Sequence, residues 1–104
     1  VPASAAGADA KATNRYGVPP LHLACANGNE AIVTALLDAG ADAKTTLRGG
    51  ETVLHTAART GRVGPVKALL ARGAKVDAAD RKGQTPLMWA AAEGHAEVVA
   101  AARR

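Results

Sequence analysis

Thr85-Pro86-Leu87-Met88-Trp89-Ala90 has the pattern of a helix start. The hydroxyl of Thr85 can accept hydrogen bonds from the free N–H groups of the first helical turn. Pro86 fits that turn, where its missing N–H costs nothing. Gly94 supplies the left-handed residue on which helices often end. The stretch therefore predicts a short helix from about Pro86 to Glu93.

The same pattern recurs along the chain with a period of 33 residues. Glycine, leucine and alanine each return at fixed positions of the unit. The recurring sets are Gly17, Gly50 and Gly83; Leu21, Leu54 and Leu87; Ala24, Ala57 and Ala90; Gly28, Gly61 and Gly94; Gly7, Gly40 and Gly73; and Ala8, Ala41 and Ala74. Chance agreement at so many positions is not credible, so the chain is built from internal repeats.

A second helix follows the first within each unit and is clearest at Glu30–Ala39. Its apolar residues are spaced at i, i+1, i+4 and i+5, which places them on one face at helical period. They are Ile32, Val33, Leu36 and Leu37. Gly40 is predicted to end this helix. A polar extended loop then leads to the next unit, and a glycine at its tip, Gly50 or Gly83, permits a tight turn.

Three segments carry a family resemblance. They are Pro20-Leu21-His22-Leu23-Ala24, Val53-Leu54-His55-Thr56-Ala57 and Thr85-Pro86-Leu87-Met88-Trp89-Ala90. They resemble the T-P-L-H-x-A signature of the ankyrin repeat, which has the same period. The resemblance covers nearly the whole chain and is highly specific for fold. It implies an all-α solenoid of stacked antiparallel helix pairs with projecting β-hairpin-like loops; the alanine-rich repeats also look bacterial in style.

The repeat predicts a single array over residues 1–104. Its parts are an N-terminal remnant (1–13), two whole repeats (14–46 and 47–79) and a truncated repeat (80–104). At both ends, the leucine pair of the second helix is replaced, by Ala3-Ser4 and by Ala102-Arg103. Solenoids need about three or more repeats and polar end caps. We therefore expect a fragment of a longer array, with Ala102-Arg103-Arg104 as a crude polar cap as the alternative.

Composition excludes several classes of protein. Hydrophobic residues make up 48% of the chain, which is too many for a disordered segment. Tyr16 and Trp89 are the only aromatics and alanine is abundant, which predicts a thin, close-packed core. No apolar run approaches the ~20 residues that cross a bilayer, so no membrane partner is expected. The single cysteine, Cys25, excludes an internal disulfide and is compatible with a cytoplasmic, periplasmic or secreted protein.

His22, Cys25 and His55 are the candidates for metal binding or catalysis, and neither function is favoured. Cys25 lies three residues after His22, but no cluster supplies the three or four ligands that zinc needs. Cys25 also occupies a slot that alanine fills in the other repeats, and no companion motif would activate it as a nucleophile. The resemblance implies instead that His22 and His55 bond to neighbouring loop backbone. The sequence predicts no catalytic residue, metal, cofactor or small-molecule substrate.

Charge favours a protein partner that is acidic. The chain has 13 basic and 9 acidic residues, for a net charge of +4. Arg15, Arg48 and Arg81 share the repeat period and fall at the predicted loop tips, so stacking would align them along one edge. An ordinary solvated rim is the alternative. Nucleic acid is disfavoured because the aromatic residues that stack on bases are missing apart from Tyr16.

By the resemblance, the ligand surface is the concave face made by the loop tips and the first helix of each pair, which we call the inner face. The predicted partner-binding residues are Arg15, Tyr16, Val18, Arg48, Glu51, Arg59, Arg81, Lys82, Gln84 and Trp89. Trp89 could instead pack over the adjacent repeat and expose only an edge. The predicted function is a protein–protein interaction scaffold; the alternative is a structural spacer in a longer multidomain protein, and an enzyme is a distant third.

Two local predictions concern stability and repeat register. Pro19 occupies the slot of Thr52 and Thr85 but cannot cap its helix, so threonine at this position should stabilise the fold. Opposite charges also alternate between neighbouring repeats. Stacking could thus pair Asp42 with Lys75 and Lys44 with Asp77 across one interface.

Overall fold

The computed structural model describes residues 18–102, which form three pairs of helices. The pairs are α1 (Pro20–Asn27) with α2 (Glu30–Asp38), α3 (Val53–Thr60) with α4 (Val63–Ala71), and α5 (Pro86–Ala92) with α6 (Ala96–Ala102). The first helices α1, α3 and α5 stack in one row, and the second helices stack in another. Between residues 18 and 102 there is no strand, only a single antiparallel bridge between Thr46 and Thr52. The predicted all-α solenoid is confirmed.

The helix ends lie within one residue of the predicted ones. α5 ends at Ala92, with Glu93 as its cap, rather than at Glu93. α2 ends at Asp38, with Ala39 as its cap, rather than at Ala39. Gly40 and Gly94 follow with φ values of 105° and 77°. These left-handed conformations are the ones for which glycine is favoured after a helix.

The helix starts differ in the way that the sequence predicts. The Thr85 hydroxyl accepts the N–H of Met88 at 3.3 Å, and the Thr52 hydroxyl accepts that of His55 at the same distance. Pro19 has the extended backbone of a cap residue, with φ −79° and ψ 159°, but gives α1 no side-chain hydrogen bond. Of the three first helices α1, α3 and α5, α1 is therefore the one whose start has no side-chain cap.

The core is thin and rich in alanine, as the composition predicts. Ala24, Ala57 and Ala90 are buried at equivalent positions, so the first helices can pack closely. Larger side chains fill the space between the two rows; the buried ones include Leu21, Leu54, Val33, Val66, Leu69 and Val98. The structure thus has one continuous hydrophobic cluster across the three helix pairs.

The predicted ion pairs between repeats do not form. Neither Asp42–Lys75 nor Lys44–Asp77 is within ion-pair distance; the inter-repeat pair found between residues 18 and 102 is Asp38–Arg72. The Asp42 carboxylate instead accepts the backbone N–H of Lys44 at 2.8 Å. The Lys44 side chain extends toward Gly73 rather than Asp77. The loop backbone, not the neighbouring repeat, therefore engages Asp42, and that prediction is wrong.

Candidate protein-binding face

Two loop tips with the same backbone geometry project beside the first helices. In the first tip, Leu47 donates its N–H to Glu51 at 2.7 Å and Gly50 donates to Leu47 at 3.0 Å. In the second tip, Asp80 donates to Gln84 and Gly83 donates to Asp80, both at 2.9 Å. Arg48 and Arg81 occupy the same corner of these two turns, and both are exposed. The tips therefore present one arginine each, as their period predicts.

The two tips are joined to each other through Arg81. Its backbone N–H donates to the carbonyl oxygen of Gly49 at 3.1 Å. The aliphatic part of its side chain passes over Gly50, where a Cβ atom would lie 3.1 Å from Arg81 Cγ. Gly50 also has a φ of 82°, which a larger residue rarely adopts. Neighbouring tips are thus in direct contact and form one continuous edge.

Asp80 holds the second tip in shape. Its carboxylate accepts the backbone N–H groups of Gln84 and Lys82, each at 2.9 Å. The bond from Gln84 does most to lower the pKa of Asp80, and desolvation opposes it. The bond from Lys82, the nearby indole of Trp89 and the charge of His55 lower the pKa by less. The negative charge of Asp80 is therefore engaged by its own turn.

Trp89 lies on α5, at one end of the row of first helices, and is only partly buried. Its ring meets the His55 ring edge to face, with 5.1 Å between centroids and an interplanar angle of 72°. The guanidinium carbon of Arg59 lies 6.0 Å from the Trp89 centroid, at the outer limit of a cation–π contact. The indole N–H is buried on the side of Asp80 without a hydrogen bond of good geometry. The indole is thus positioned by three neighbours and still presents part of its ring.

Two pockets meet at Trp89 and Gln84. One lies over α5 and has a volume of about 270 Å³; its lining residues are Arg59, Gln84, Met88, Trp89, Ala92 and Glu93. The other lies between the loop tips and has a volume of about 330 Å³; its lining residues are Gly49, Glu51, Asp80, Arg81, Lys82, Gln84 and Trp89. We call them the α5 pocket and the tip pocket. Six of the predicted partner-binding residues line one or both of them.

The other predicted residues lie elsewhere. Arg48 is exposed at its tip but lines neither pocket. Val18 is partly buried just before α1. Arg15 and Tyr16 lie outside the described residues. Met88 and Asp80 were missed; Met88 stands where the signature has histidine, which is the one signal that could have revealed it.

The histidines bond differently from one another. His55 Nε2 lies 2.7 Å from the carbonyl oxygen of Gln84, and Nδ1 accepts the N–H of Thr52 at 3.0 Å. The prediction of loop-backbone bonds is therefore confirmed for His55. The ring of His22 instead lies 3.3 Å from the Thr56 hydroxyl. Pro19 has no N–H to offer where Thr52 has one, so His22 takes a side-chain partner instead.

Cys25 and the histidines do not form a chemical centre. Burial raises the pKa of the Cys25 thiol to about 12, so it stays protonated and a poor nucleophile. Within residues 18–102, no group of three or more histidine, cysteine, aspartate or glutamate residues could hold a metal ion. In the same range, no helix is long and apolar enough to span a bilayer.

Stacked helix pairs with projecting tips define a repeat solenoid, a class that offers an extended surface rather than an enclosed active site. The model of ankyrin repeats, in three copies, matches residues 21–101. The chain therefore belongs to the ankyrin repeat family. Ankyrin repeats are generally protein–protein interaction modules and are typically not enzymes. No curated protein matches the chain.

Proposed function

We propose that this chain is a protein-interaction module that binds a partner through its inner face, and that it acts by binding rather than by catalysis. The observation that carries the proposal is the set of side chains around Trp89. A partly exposed tryptophan beside two pockets is the kind of residue that anchors an interface. Six predicted residues from separate repeats converge there: Glu51, Arg59, Arg81, Lys82, Gln84 and Trp89.

The charges around the pockets favour an acidic partner. Arg59, Arg81 and Lys82 are exposed, and Arg48 adds a further cation at the neighbouring tip. Glu51, Asp80 and Glu93 line the same pockets and offset part of this charge, but of these three carboxylates only Glu93 is exposed. Such rim charges act mainly on the association rate and are screened by salt over about 8 Å at physiological ionic strength. Of the three arginines that share the repeat period, Arg48 and Arg81 lie within the described residues. In this proposal they form part of the charged edge that meets the partner.

Site-specific photo-crosslinking tests the binding face. A photo-reactive phenylalanine analogue would replace Gln84 in one variant and Lys67 in another; both side chains are exposed. Gln84 lines both inner-face pockets, whereas Lys67 is on the second helix α4. We expect a partner protein to be captured from position 84 and not from position 67.

The opposite pattern would move the binding surface to the second helices and overturn the proposal. Two results together would favour the structural spacer. No partner would be captured from either position, and the parent protein would stay active when Trp89 and Arg81 are replaced. A spacer has no need of a shaped inner face, so its activity would depend only on the fold.

A further inference from the structure

The α5 pocket differs in chemistry from the tip pocket beside it. Met88, the Trp89 ring and Ala92 give it an apolar wall, and Met88 is 52% exposed. At the equivalent position of the middle repeat, His55 is fully buried and bonded to the next loop. At about 270 Å³ the pocket is smaller than most small-molecule sites, which measure about 300–1,000 Å³. Its size and lining suit a single aliphatic side chain.

The tip pocket is the polar neighbour of this apolar seat. Arg81 and Lys82 stand at its rim and are exposed, whereas Glu51 is partly buried and Asp80 is bonded to its own turn. Arg59 and Glu93 both line the α5 pocket, and both are exposed. The two pockets are lined by three cations and three carboxylates, but the exposed ones are three cations and one carboxylate, because Glu51 and Asp80 are partly buried. A carboxylate that lies next to the aliphatic side chain would meet at least one of these cations.

We infer that the inner face recognises a short extended segment of an acidic protein, in which a leucine- or methionine-sized side chain enters the α5 pocket and a flanking carboxylate lies over Arg81 and Lys82. This inference rests on the proposed function and specifies the partner of the same surface. The apolar side chain supplies contact with the Trp89 ring and the Met88 thioether. The carboxylate supplies charge-assisted hydrogen bonds to the arginine.

Three end-blocked peptides separate these two contributions: Gly-Glu-Leu-Glu-Gly, Gly-Lys-Leu-Lys-Gly and Gly-Glu-Gly-Glu-Gly. Each is titrated at low salt into the isotope-labelled chain, and the Trp89 indole and Met88 methyl resonances are followed by NMR. Trp89 and Met88 are the only tryptophan and methionine, so both signals are unambiguous. We expect the Glu-Leu peptide to shift both. Replacing leucine by glycine should weaken binding by about fivefold, as should replacing glutamate by lysine.

Variants assign each effect to its residues. The double change Arg81→Gln and Lys82→Gln should lower the affinity for the Glu-Leu peptide by about fivefold at low salt and by less at high salt. The matched control, Lys67→Gln with Lys75→Gln, removes two exposed cations that line neither pocket and should leave binding unchanged. Ala92→Glu places a carboxylate in the α5 pocket and should lower the affinity for the Glu-Leu peptide more than the double change does. Circular dichroism of each variant confirms that the helices are retained.

Equal affinities for the three peptides, or no shift of the Trp89 indole with any of them, would overturn the inference. Self-association of the chain that the peptides do not disrupt and that Ala92→Glu abolishes would also overturn it. The pocket would then be occupied by a second copy of the chain. None of these results affects crosslinking from position 84. If crosslinking succeeds and the peptides fail, the inner face still binds a partner, but one with different chemistry.

Discussion

The first and middle helix pairs carry the same histidine three residues after different cap residues, and the two histidines bond differently. His55 is fully buried and joins the start of α3, through Thr52, to the loop of the next repeat, through Gln84. His22 is partly buried and bonds to the hydroxyl of Thr56. Pro19 cannot donate the N–H that Thr52 donates. A repeated residue therefore contributes to stability according to its cap partner, not according to its place in the signature.

Replacement of His55 by alanine should have the largest effect. The change removes a buried ring that packs on Trp89, leaves the Thr52 N–H without a partner, and removes one of the two hydrogen bonds at the Gln84 carbonyl. We expect the free energy of unfolding to fall by about 3 kcal/mol, against about 1 kcal/mol for His22→Ala. Urea denaturation of both variants measures this. Equal losses would contradict the difference drawn between the two repeats.

A second contrast concerns the glycines that end α3 and α5. Gly61 and Gly94 have φ values of 80° and 77°, so alanine strains both sites. A Cβ on Gly61 would also lie 2.7 Å from the His95 ring, whereas one on Gly94 would meet nothing within 4 Å. Gly61→Ala should therefore destabilise the fold by about 2–3 kcal/mol and Gly94→Ala by about 1 kcal/mol. If thermal unfolding ranks the two variants equally, His95 does not pack on Gly61 in solution.

Pro19→Thr should make the first repeat resemble the middle one. The backbone at residue 19 is already extended, so threonine can cap α1 and its new N–H can reach His22 as that of Thr52 reaches His55. We expect a gain of about 1 kcal/mol. Pro19→Ala, which restores the N–H without the hydroxyl, separates the two contributions. A denaturation midpoint for the threonine variant at or below that of the wild type would show that α1 does not start at this residue.

The smallest expected effect is on the pH dependence of stability. Burial lowers the pKa of His22 from 6.5; the charge of Glu51 opposes this and that of Arg59 adds to it. The unfolded chain therefore binds the proton more tightly than the folded one. The stability contribution of neutral His22 is complete above pH 6.5 and falls as the pH drops below that value. His22→Gln should reduce the loss of stability between about pH 7.5 and 5.5; an unchanged loss would assign it to other groups.

The period of the sequence predicted the parts of the fold that depend on the backbone. The helix starts at Pro20 and Pro86, the uncapped Pro19 and the left-handed Gly40 and Gly94 all follow from residue type and spacing. These features are local, so one repeat contains the information for each of them.

The side-chain contacts between repeats could not be predicted in the same way. Alignment of Asp42 with Lys75 showed that their repeat positions coincide, but not that the Asp42 carboxylate would bond to its own loop. The stacking of Trp89 on His55 depends on the rotamers of both residues. The α5 pocket depends on the exposed Met88, whose environment no periodicity describes. The residues of the candidate site could therefore be named from the sequence, but their arrangement around the pockets could not.

The indole N–H resonance of Trp89 reports directly on whether a partner binds the inner face, because the chain has only one tryptophan. The partner captured from position 84 would be purified and added to the isotope-labelled chain. We expect the Trp89 indole and the backbone signals of Arg81 and Gln84 to shift or broaden, while those of α4 stay unchanged. Perturbation of α4 with an unchanged Trp89 indole would contradict the account, since the partner would then bind the second helices.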